Sequence, residues 1–167
     1  LKEYRGRFAP SPSGYLHLGN LRTALIAWLR ARICRGKFFL RIDDLDSYRN
    51  LSGAVESIQQ DLCWLGLTWD GPPVFQSSRI DLYRTVLSVL KLQQKLYPCR
   101  CSRRVLANLN SSNSSDFIYP GTCRDLGLPW TIYRGRKPSL RLRVDGDFSS
   151  TCGDIVLRRA DGFVAYH

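Results

Sequence analysis

Long apolar runs are absent from this 167-residue sequence. No segment approaches the roughly 20 uninterrupted apolar residues that a membrane crossing needs, and the first residues, Leu1 to Arg5, lack the apolar stretch of a signal peptide. We therefore expect a cytoplasmic protein with no membrane partner. In that setting we expect the six cysteines to be reduced thiols rather than three disulfides.

Acidic residues are scarce. Fourteen Asp and Glu stand against 25 Lys and Arg, which gives a net charge of +11. Arg greatly outnumbers Lys, and a guanidinium group can bind phosphate through two parallel hydrogen bonds. Nucleotides and nucleic acids are therefore candidate ligands, but scattered solvated cations would give the same total. Charge alone does not identify the ligand.

The residues that are present follow the pattern of an α/β fold. A short strand over 5–9 leads into the stiff loop Pro10 to Gly14, after which a helix begins near Gly19 and stops at Gly36, before the apolar strand 37–42. Strand, helix and strand predict a right-handed βαβ unit in a Rossmann-type parallel sheet. The helix places its larger apolar residues on one face, formed by Leu21, Leu25, Trp28 and Leu29.

Two further helices are predicted, one ending at Gly66 and one beyond Gly71-Pro72-Pro73. Their apolar faces are formed by Val55, Ile58, Leu62 and Leu65, and by Leu82, Val86, Val89, Leu90 and Gln93. The helical spacing of apolar residues is lost after Leu96. A later segment alternates apolar and charged residues as a strand does, with Leu140, Leu142 and Val144 on one side and Arg141 and Arg143 on the other. We therefore divide the chain into a Rossmann-type nucleotide-binding first half at 1–96, an inserted module at 97–130 and a β-rich continuation at 131–167.

The inserted module contains cysteines but no histidine. Cys99 and Cys101 are separated by one residue, and Cys123 follows them. Soft thiolates select zinc, whose closed sites need four ligands, yet both histidines, His17 and His167, lie elsewhere. From chemistry alone, a three-cysteine site completed by water and a set of buried structural cysteines both stay open. The other cysteines have no such spacing and are expected in the core: Cys34, Cys63 and Cys152.

The start of the first helix is suited to bind phosphate. His17-Leu18-Gly19-Asn20 places an imidazole and a glycine at a helix N-terminus, where unpaired backbone N–H groups attract anions. His17 could also donate a hydrogen bond to charge that develops on an α-phosphate. A histidine before a helix is more often an ordinary capping or surface residue, so these four residues alone do not establish a nucleotide site.

A longer string decides between these two interpretations. The segment from Arg7 to Leu25 reads RFAPSPSGYLHLGNLRTAL. It closely resembles the signature of glutamyl-type class I aminoacyl-tRNA synthetases, in which His17 to Asn20 stands at the "HIGH" motif. Arg41-Ile42-Asp43-Asp44-Leu45-Asp46 resembles the second landmark of these enzymes, although Asp43 stands where Glu is more common.

The resemblance implies roles for particular residues. Arg7 would pair with the side-chain carboxylate of glutamate, Asp43 would bind its α-ammonium group, and Tyr166, in a predicted strand over 163–166, would reach the amino acid from the far wall. Ala9 and Ser11 would line the same glutamate site. The implied ATP-binding residues are Pro10, Ser11, His17, Gly19 and Asn20, of which His17, Gly19 and Asn20 are the implied catalytic residues.

The cysteine module resembles that of one branch of the family, the glutamyl-Q tRNA(Asp) synthetases. These enzymes carry Cys-x-Cys, a spacer of variable length and then Tyr-x-x-x-Cys, with the tyrosine as an unusual fourth ligand. The resemblance implies a structural Zn²⁺ that orders a module facing tRNA. Its ligands would be Cys99, Cys101, Tyr119 and Cys123.

The resemblance also implies an ATP-dependent ligase. With ATP and Mg²⁺ it would convert L-glutamate to glutamyl-adenylate, and it would transfer the glutamyl group to queuosine in the anticodon region of tRNA(Asp), acting as a monomer. The "KMSKS" loop and the Val-Arg-Gly segment of the family have no counterpart here, so we expect a C-terminally incomplete chain. Three alternatives stay open: a fragment of a true glutamyl-tRNA synthetase, a truncated non-catalytic paralogue that binds nucleotide or RNA, and an unrelated zinc-bearing RNA-binding module.

Overall fold

The computed structural model describes residues 3–102, 104–106, 119–145 and 154–159. The chain separates into two compact units, Leu1–Asp81 and Leu82–His167. The domain boundaries drawn above at 96/97 and 130/131 stay a prediction. Within the described residues, no helix is both long and apolar enough to cross a membrane.

The first unit is a parallel α/β arrangement, as predicted. Its elements are β1 (Arg5–Phe8), α1 (Leu18–Ile33), β2 (Lys37–Ile42), α2 (Ala54–Trp64) and β3 (Val74–Phe75), followed by a 3₁₀ turn at Ser77–Arg79. The strands form one sheet in the order β1-β2-β3, and both pairings are parallel. The central strand β2 and helix α2 supply most of the core, which includes Phe38, Leu40, Ile42, Ile58 and Leu62.

Helix α1 packs through only part of the face predicted for it, since Trp28 contacts the core but two leucines do not. Leu25 and Leu29 are 43% and 42% exposed, whereas the fully buried residues of the helix are alanines. A Cβ added to Gly6 on β1 would lie only 3.0 Å from the carbonyl oxygen of Ala27, so strand and helix approach too closely for large side chains. The prediction was wrong for Leu25 and Leu29, because this close approach selects the small residues Ala24, Ala27 and Ala31.

Gly36 follows the end of α1 but is required for a reason other than helix termination. The left-handed φ that closes this helix, 49°, belongs to Arg35. A Cβ at Gly36 would lie 2.2 Å from the carbonyl oxygen of Tyr4, and that oxygen accepts the Lys37 N–H at 2.9 Å. Gly36 is therefore needed where β2 enters the sheet beside β1.

Two cysteines expected in the core are exposed. Cys34 caps the end of α1, and Cys63 lies on the outward side of α2. The expectation was wrong because residue type alone does not place a side chain: position 34 ends α1 and position 63 falls on the solvent-facing side of α2. Cys152 lies outside the described residues.

The second unit is built on an antiparallel sheet. Helix α3 (Ile80–Leu92) precedes β4 (Leu96–Cys99), β5 (Ser139–Leu142) and β6 (Ile155–Arg158), which pair in the order β4-β5-β6. The sheet thus joins strands from both sides of the cysteine-containing segment. The predicted strand 163–166 lies outside the described residues.

Candidate functional site

The loop between β1 and α1 is fixed across the carboxyl edge of the parallel sheet. The Asp43 N–H, just after β2, donates to the Pro10 carbonyl at 3.0 Å, and the Leu51 N–H donates to the Pro12 carbonyl at 2.8 Å. Both prolines are buried. Ligands of open parallel sheets bind at this edge, so the loop 9–17 lies where a nucleotide would be expected.

His17 is the N-cap of α1. Its Nδ1 accepts the Gly19 N–H at 3.1 Å, while its own backbone N–H donates to Asn20 Oδ1 at 3.2 Å, which completes a reciprocal capping box. Because Nδ1 accepts a hydrogen bond, the proton of the neutral ring is assigned to Nε2. The exposed imidazole therefore keeps one donor for a ligand at the helix N-terminus.

Asp43 is held by its neighbour Arg41. The guanidinium donates to both carboxylate oxygens, with Nε–Oδ1 and Nη2–Oδ2 distances of 2.5 and 2.9 Å. Asp43 is buried at the end of β2. This fork fixes the carboxylate plane and leaves one lone pair on each oxygen for a further donor. Arg41 belongs to the motif at the end of β2, but no role was predicted for it.

Arg7 and Ala9 lie at the end of β1, beside this edge. Arg7 is exposed, and within residues 3–102 it has no ion-pair partner. Ala9 is half-buried and Ser11 is exposed. Tyr166, which was assigned to the far wall of the glutamate site, lies outside the described residues.

Asp44 forms a contact that the sequence analysis missed. Its Oδ1 accepts the Ser77 N–H at 2.8 Å and its Oδ2 accepts the Ser77 hydroxyl at 2.5 Å. The bond ties the end of β2 to the turn that follows β3. An Asp after a strand signals a loop contact in general, but its partner 33 residues away could not be found from spacing.

Four potential metal donors meet in the second unit. The sulfurs of Cys99, Cys101 and Cys123 lie within 4.8 Å of one another. The Tyr119 hydroxyl is 3.3 Å from the Cys99 sulfur and 3.8 Å from the Cys101 sulfur, and the Cys101 and Cys123 sulfurs are 3.5 Å apart. Tetrahedral Zn–S bonds of about 2.3 Å place sulfurs about 3.8 Å apart. The donors therefore lie close enough to converge on a single ion.

The protonation of this cluster is set by burial and by its own hydrogen bonds. Burial raises the pKa of the Cys101 thiol to about 12, and the neighbouring Cys123 and Cys99 sulfurs add to the effect. Burial, helped by the Cys99 sulfur, also raises the pKa of the Tyr119 phenol. Burial opposes the Cys123 thiolate, but hydrogen bonds from the Arg100 backbone and the Tyr119 hydroxyl outweigh it and lower the pKa of Cys123.

Arg141 covers the ring of Tyr119. Its guanidinium carbon is 3.5 Å from the ring centroid, and its Nη1 donates to the Asp154 carbonyl at 2.8 Å. The alternation predicted along β5 is interrupted, because Leu140 and Arg141 are both buried and the pairing with β6 is irregular between them. Tyr119 packs over Arg141 on its side of the strand. The contact is a cation–π interaction that packs the guanidinium on the ring face.

Comparison with known proteins identifies the family. Residues 3–161 match the sequence profile of the family described as tRNA synthetases class I (E and Q), catalytic domain. The chain belongs to this family. The class I synthetase fold predicted from the Arg7 to Leu25 string is thereby confirmed.

The relatives of this synthetase domain include enzymes of two names. Glutamyl-Q tRNA(Asp) synthetase of Prochlorococcus marinus (strain MIT 9303) is 63% identical over 98% of this chain and 54% of its own length. Glutamate--tRNA ligase 1 of Syntrophus aciditrophicus (strain SB) is 39% identical over 100% of this chain and 38% of its own length. The chain thus spans about half the length, or less, of these curated relatives.

Solved structures agree with the class I synthetase assignment. The glutamate-tRNA synthetase from Elizabethkingia anophelis is 28% identical, with a TM-score of 0.76 over 99% of this chain and 41% of that one. A glutamate tRNA ligase from Elizabethkingia meningosepticum, crystallised in complex with its amino acid, gives a TM-score of 0.75 over 99% of this chain and 40% of that one at 28% identity.

Proposed function

We propose that this chain forms the part of a glutamyl-Q tRNA(Asp) synthetase that activates L-glutamate. The observation that carries the proposal is the loop 9–17, fixed across the carboxyl edge of a parallel sheet and ending at the capped His17, in a chain 63% identical to a relative of that name. In the reaction, a glutamate carboxylate oxygen attacks the α-phosphorus of ATP. The bond to the β-phosphate breaks, and pyrophosphate leaves with Mg²⁺.

The residues of the first unit would align the two substrates. His17 would donate from Nε2 to the phosphates, and the adjacent backbone at Gly19 and Asn20, with Pro10 and Ser11, would line the ATP path. Arg7, which is unpaired among residues 3–102, would bind the side-chain carboxylate of glutamate in a fork. Asp43 would offer its remaining lone pairs to the α-ammonium group.

We propose that the metal of the second unit is Zn²⁺. Three thiolates and a phenolate satisfy all four positions of a tetrahedral ion, so it would order the module rather than act on substrate. When bound, the ion would stabilise the deprotonated ligands that burial disfavours in its absence. Unpaired thiols of this kind persist in a reducing compartment, which is why we place the protein in the cytoplasm.

The proposed acceptor is the queuosine base in the anticodon region of tRNA(Asp), and the proposed state is a monomer. A relative named glutamate--tRNA ligase 1 matches the whole chain at lower identity, so the terminal adenosine of tRNA(Glu) is the alternative acceptor. Labelled glutamate should pass to queuosine-containing tRNA(Asp) and not to the unmodified transcript. Equal transfer to unmodified tRNA(Glu) would assign the chain to the alternative.

Glutamate activation is tested by ATP–pyrophosphate exchange without tRNA. It should be measured on the 167-residue chain and on a version extended through any downstream coding sequence. His17→Asn is the informative variant: Asn is a good N-cap but lacks the Nε2 donor, so exchange should fall about 10²- to 10³-fold while the urea midpoint stays unchanged. Absence of exchange by both folded, zinc-loaded wild-type proteins would refute the enzymatic function.

A further inference from the structure

The segment that follows the cysteine cluster forms a tight basic hairpin. Tyr133 and Arg136 exchange two backbone hydrogen bonds of 3.0 Å, and the two residues between them both have left-handed φ angles, 49° at Arg134 and 73° at Gly135. Two consecutive positive φ angles define a two-residue type I′ turn. The segment therefore has the defined backbone geometry of a hairpin turn rather than that of an irregular loop.

Arg100 fastens this hairpin to the cysteine cluster. It stands between Cys99 and Cys101, and its Nη2 donates to the carbonyl oxygens of Pro129 and Thr131 at 3.1 and 3.0 Å. Its guanidinium also stacks on Tyr133, 5.0 Å from the ring centroid. Any ion held by the two flanking cysteines would fix the backbone from which Arg100 holds the hairpin.

The cations of the hairpin are unpaired. Within the described part of the chain, Arg134, Arg136 and Lys137 have no ion-pair partner, whereas Arg124 and Arg143 of the same unit are paired with aspartates. Arg134 stacks on the exposed Tyr133 ring, 5.3 Å from its centroid. An arginine supported on a ring keeps its N–H edge for an oxyanion at low entropic cost.

A cleft opens between the hairpin and the cysteine cluster. It has a volume of about 150 Å³, which is room for about five water molecules, and no carboxylate is among the residues that line it. Its cationic lining residues are Arg100, Arg134, Arg136 and Lys137. A small cleft with this lining favours a phosphate group.

We propose that the hairpin 133–137 binds the phosphate backbone of RNA, with Arg134, Arg136 and Lys137 contacting phosphates and Arg100 as the residue that positions the hairpin. The inference rests on the proposed function, since that function supplies an RNA substrate. An exposed aromatic ring between arginines suits nucleic acid, because bases stack on the ring while phosphates pair with the guanidinium groups.

Fluorescence anisotropy with a tRNA(Asp) transcript tests the proposal on the full chain across 50 to 200 mM salt. Arg136→Gln with Lys137→Gln should weaken binding about tenfold and reduce the slope of log K against log salt by about 1.5. The control, Lys95→Gln with Arg159→Gln, removes two exposed cations of the same unit outside the hairpin and should leave the slope unchanged. Equal effects in the two pairs would overturn the proposal.

Two single variants separate contact from positioning. Arg134→Gly relaxes a left-handed residue, so the protein should be at least as stable while RNA binding weakens. Arg100→Lys keeps the charge but loses the planar guanidinium that stacks on Tyr133, so affinity should fall with an unchanged salt slope. Full affinity for RNA in both variants would refute the proposal that the hairpin binds RNA. Loss of ATP–pyrophosphate exchange with RNA binding intact would refute only the proposed enzymatic function.

Discussion

Asp154 is the buried carboxylate on which the second unit depends, and Asp154→Ala should destabilise the protein strongly. Its Oδ2 accepts the Tyr97 hydroxyl at 2.7 Å, its Oδ1 accepts the Val144 N–H at 2.8 Å, and Arg124 Nε lies 3.5 Å from Oδ2. Burial, with the hydrogen bond to Asp154, raises the pKa of Tyr97, so this tyrosine is a permanent donor. Removal of the carboxylate would leave two buried donors without an acceptor.

The magnitude follows from these contacts. A hydrogen bond to a charged acceptor contributes about 1.5–3 kcal/mol, and Arg124 keeps a second partner in Asp145. Two lost bonds therefore predict a decrease of about 3–6 kcal/mol in the free energy of unfolding. The Asp154 carbonyl still accepts from Arg141 after the substitution, because that bond is to the backbone.

Urea unfolding followed by far-UV circular dichroism measures this change. Asp125→Ala is the matched control, because the Asp125 side chain is 80% exposed and forms a surface ion pair with Arg143 at 2.8 Å. We expect the control to lose about 0–1 kcal/mol. A loss below about 1 kcal/mol in Asp154→Ala, or equal losses in the two variants, would refute the view that the buried carboxylate network holds β5 and β6 together.

Three further predictions concern the end of α1, the carboxylate of Asp70 and the cysteine cluster. Arg35→Gly should stabilise the chain by about 1 kcal/mol in urea unfolding, because it relieves a left-handed residue at the end of α1. A hydrogen bond from the Phe38 N–H, despite opposing desolvation, holds the pKa of Asp70 below its ordinary value. The stabilisation that the Asp70 carboxylate contributes is therefore complete at pH values above the ordinary pKa of Asp. It is lost as pH falls through the lowered pKa, so Asp70→Asn should flatten the acid limb of the curve of stability against pH. Cys101→Ser should lose the bound zinc in a chelator titration, whereas the exposed Cys63→Ser should retain one ion per chain.

The sequence was sufficient to predict features that depend on helix-ending residues and on the spacing of side chains. The helix ends near Gly36 and Gly66 were predicted, because a glycine after an amphipathic segment favours a helix end. The meeting of Tyr119 with Cys99 was implied by a resemblance and is now seen at 3.3 Å. The role of these side chains as metal ligands stays a prediction, as do the roles assigned to the loop 9–17.

The sequence was insufficient where a long-range contact decides the outcome. The alternation along β5 placed Arg141 opposite Leu140 but could not say that a tyrosine 22 positions earlier would cover it. The leucine face of α1 obeyed helical periodicity, yet packing on Gly6 selected the alanines instead. In both cases the missing information is how closely two elements approach, which periodicity does not contain.

His17 shows why a capping residue and a functional residue need not be alternatives. From the sequence alone, an ordinary cap and a phosphate ligand are competing roles for His17, but an imidazole has two nitrogens. Nδ1 satisfies the Gly19 N–H, and this bond assigns the remaining proton to Nε2 and restrains the ring. An Asn or Ser cap would satisfy the same N–H but would reach no further. The capping bond of His17 at Nδ1 therefore leaves Nε2 as a donor at the N-terminus of α1.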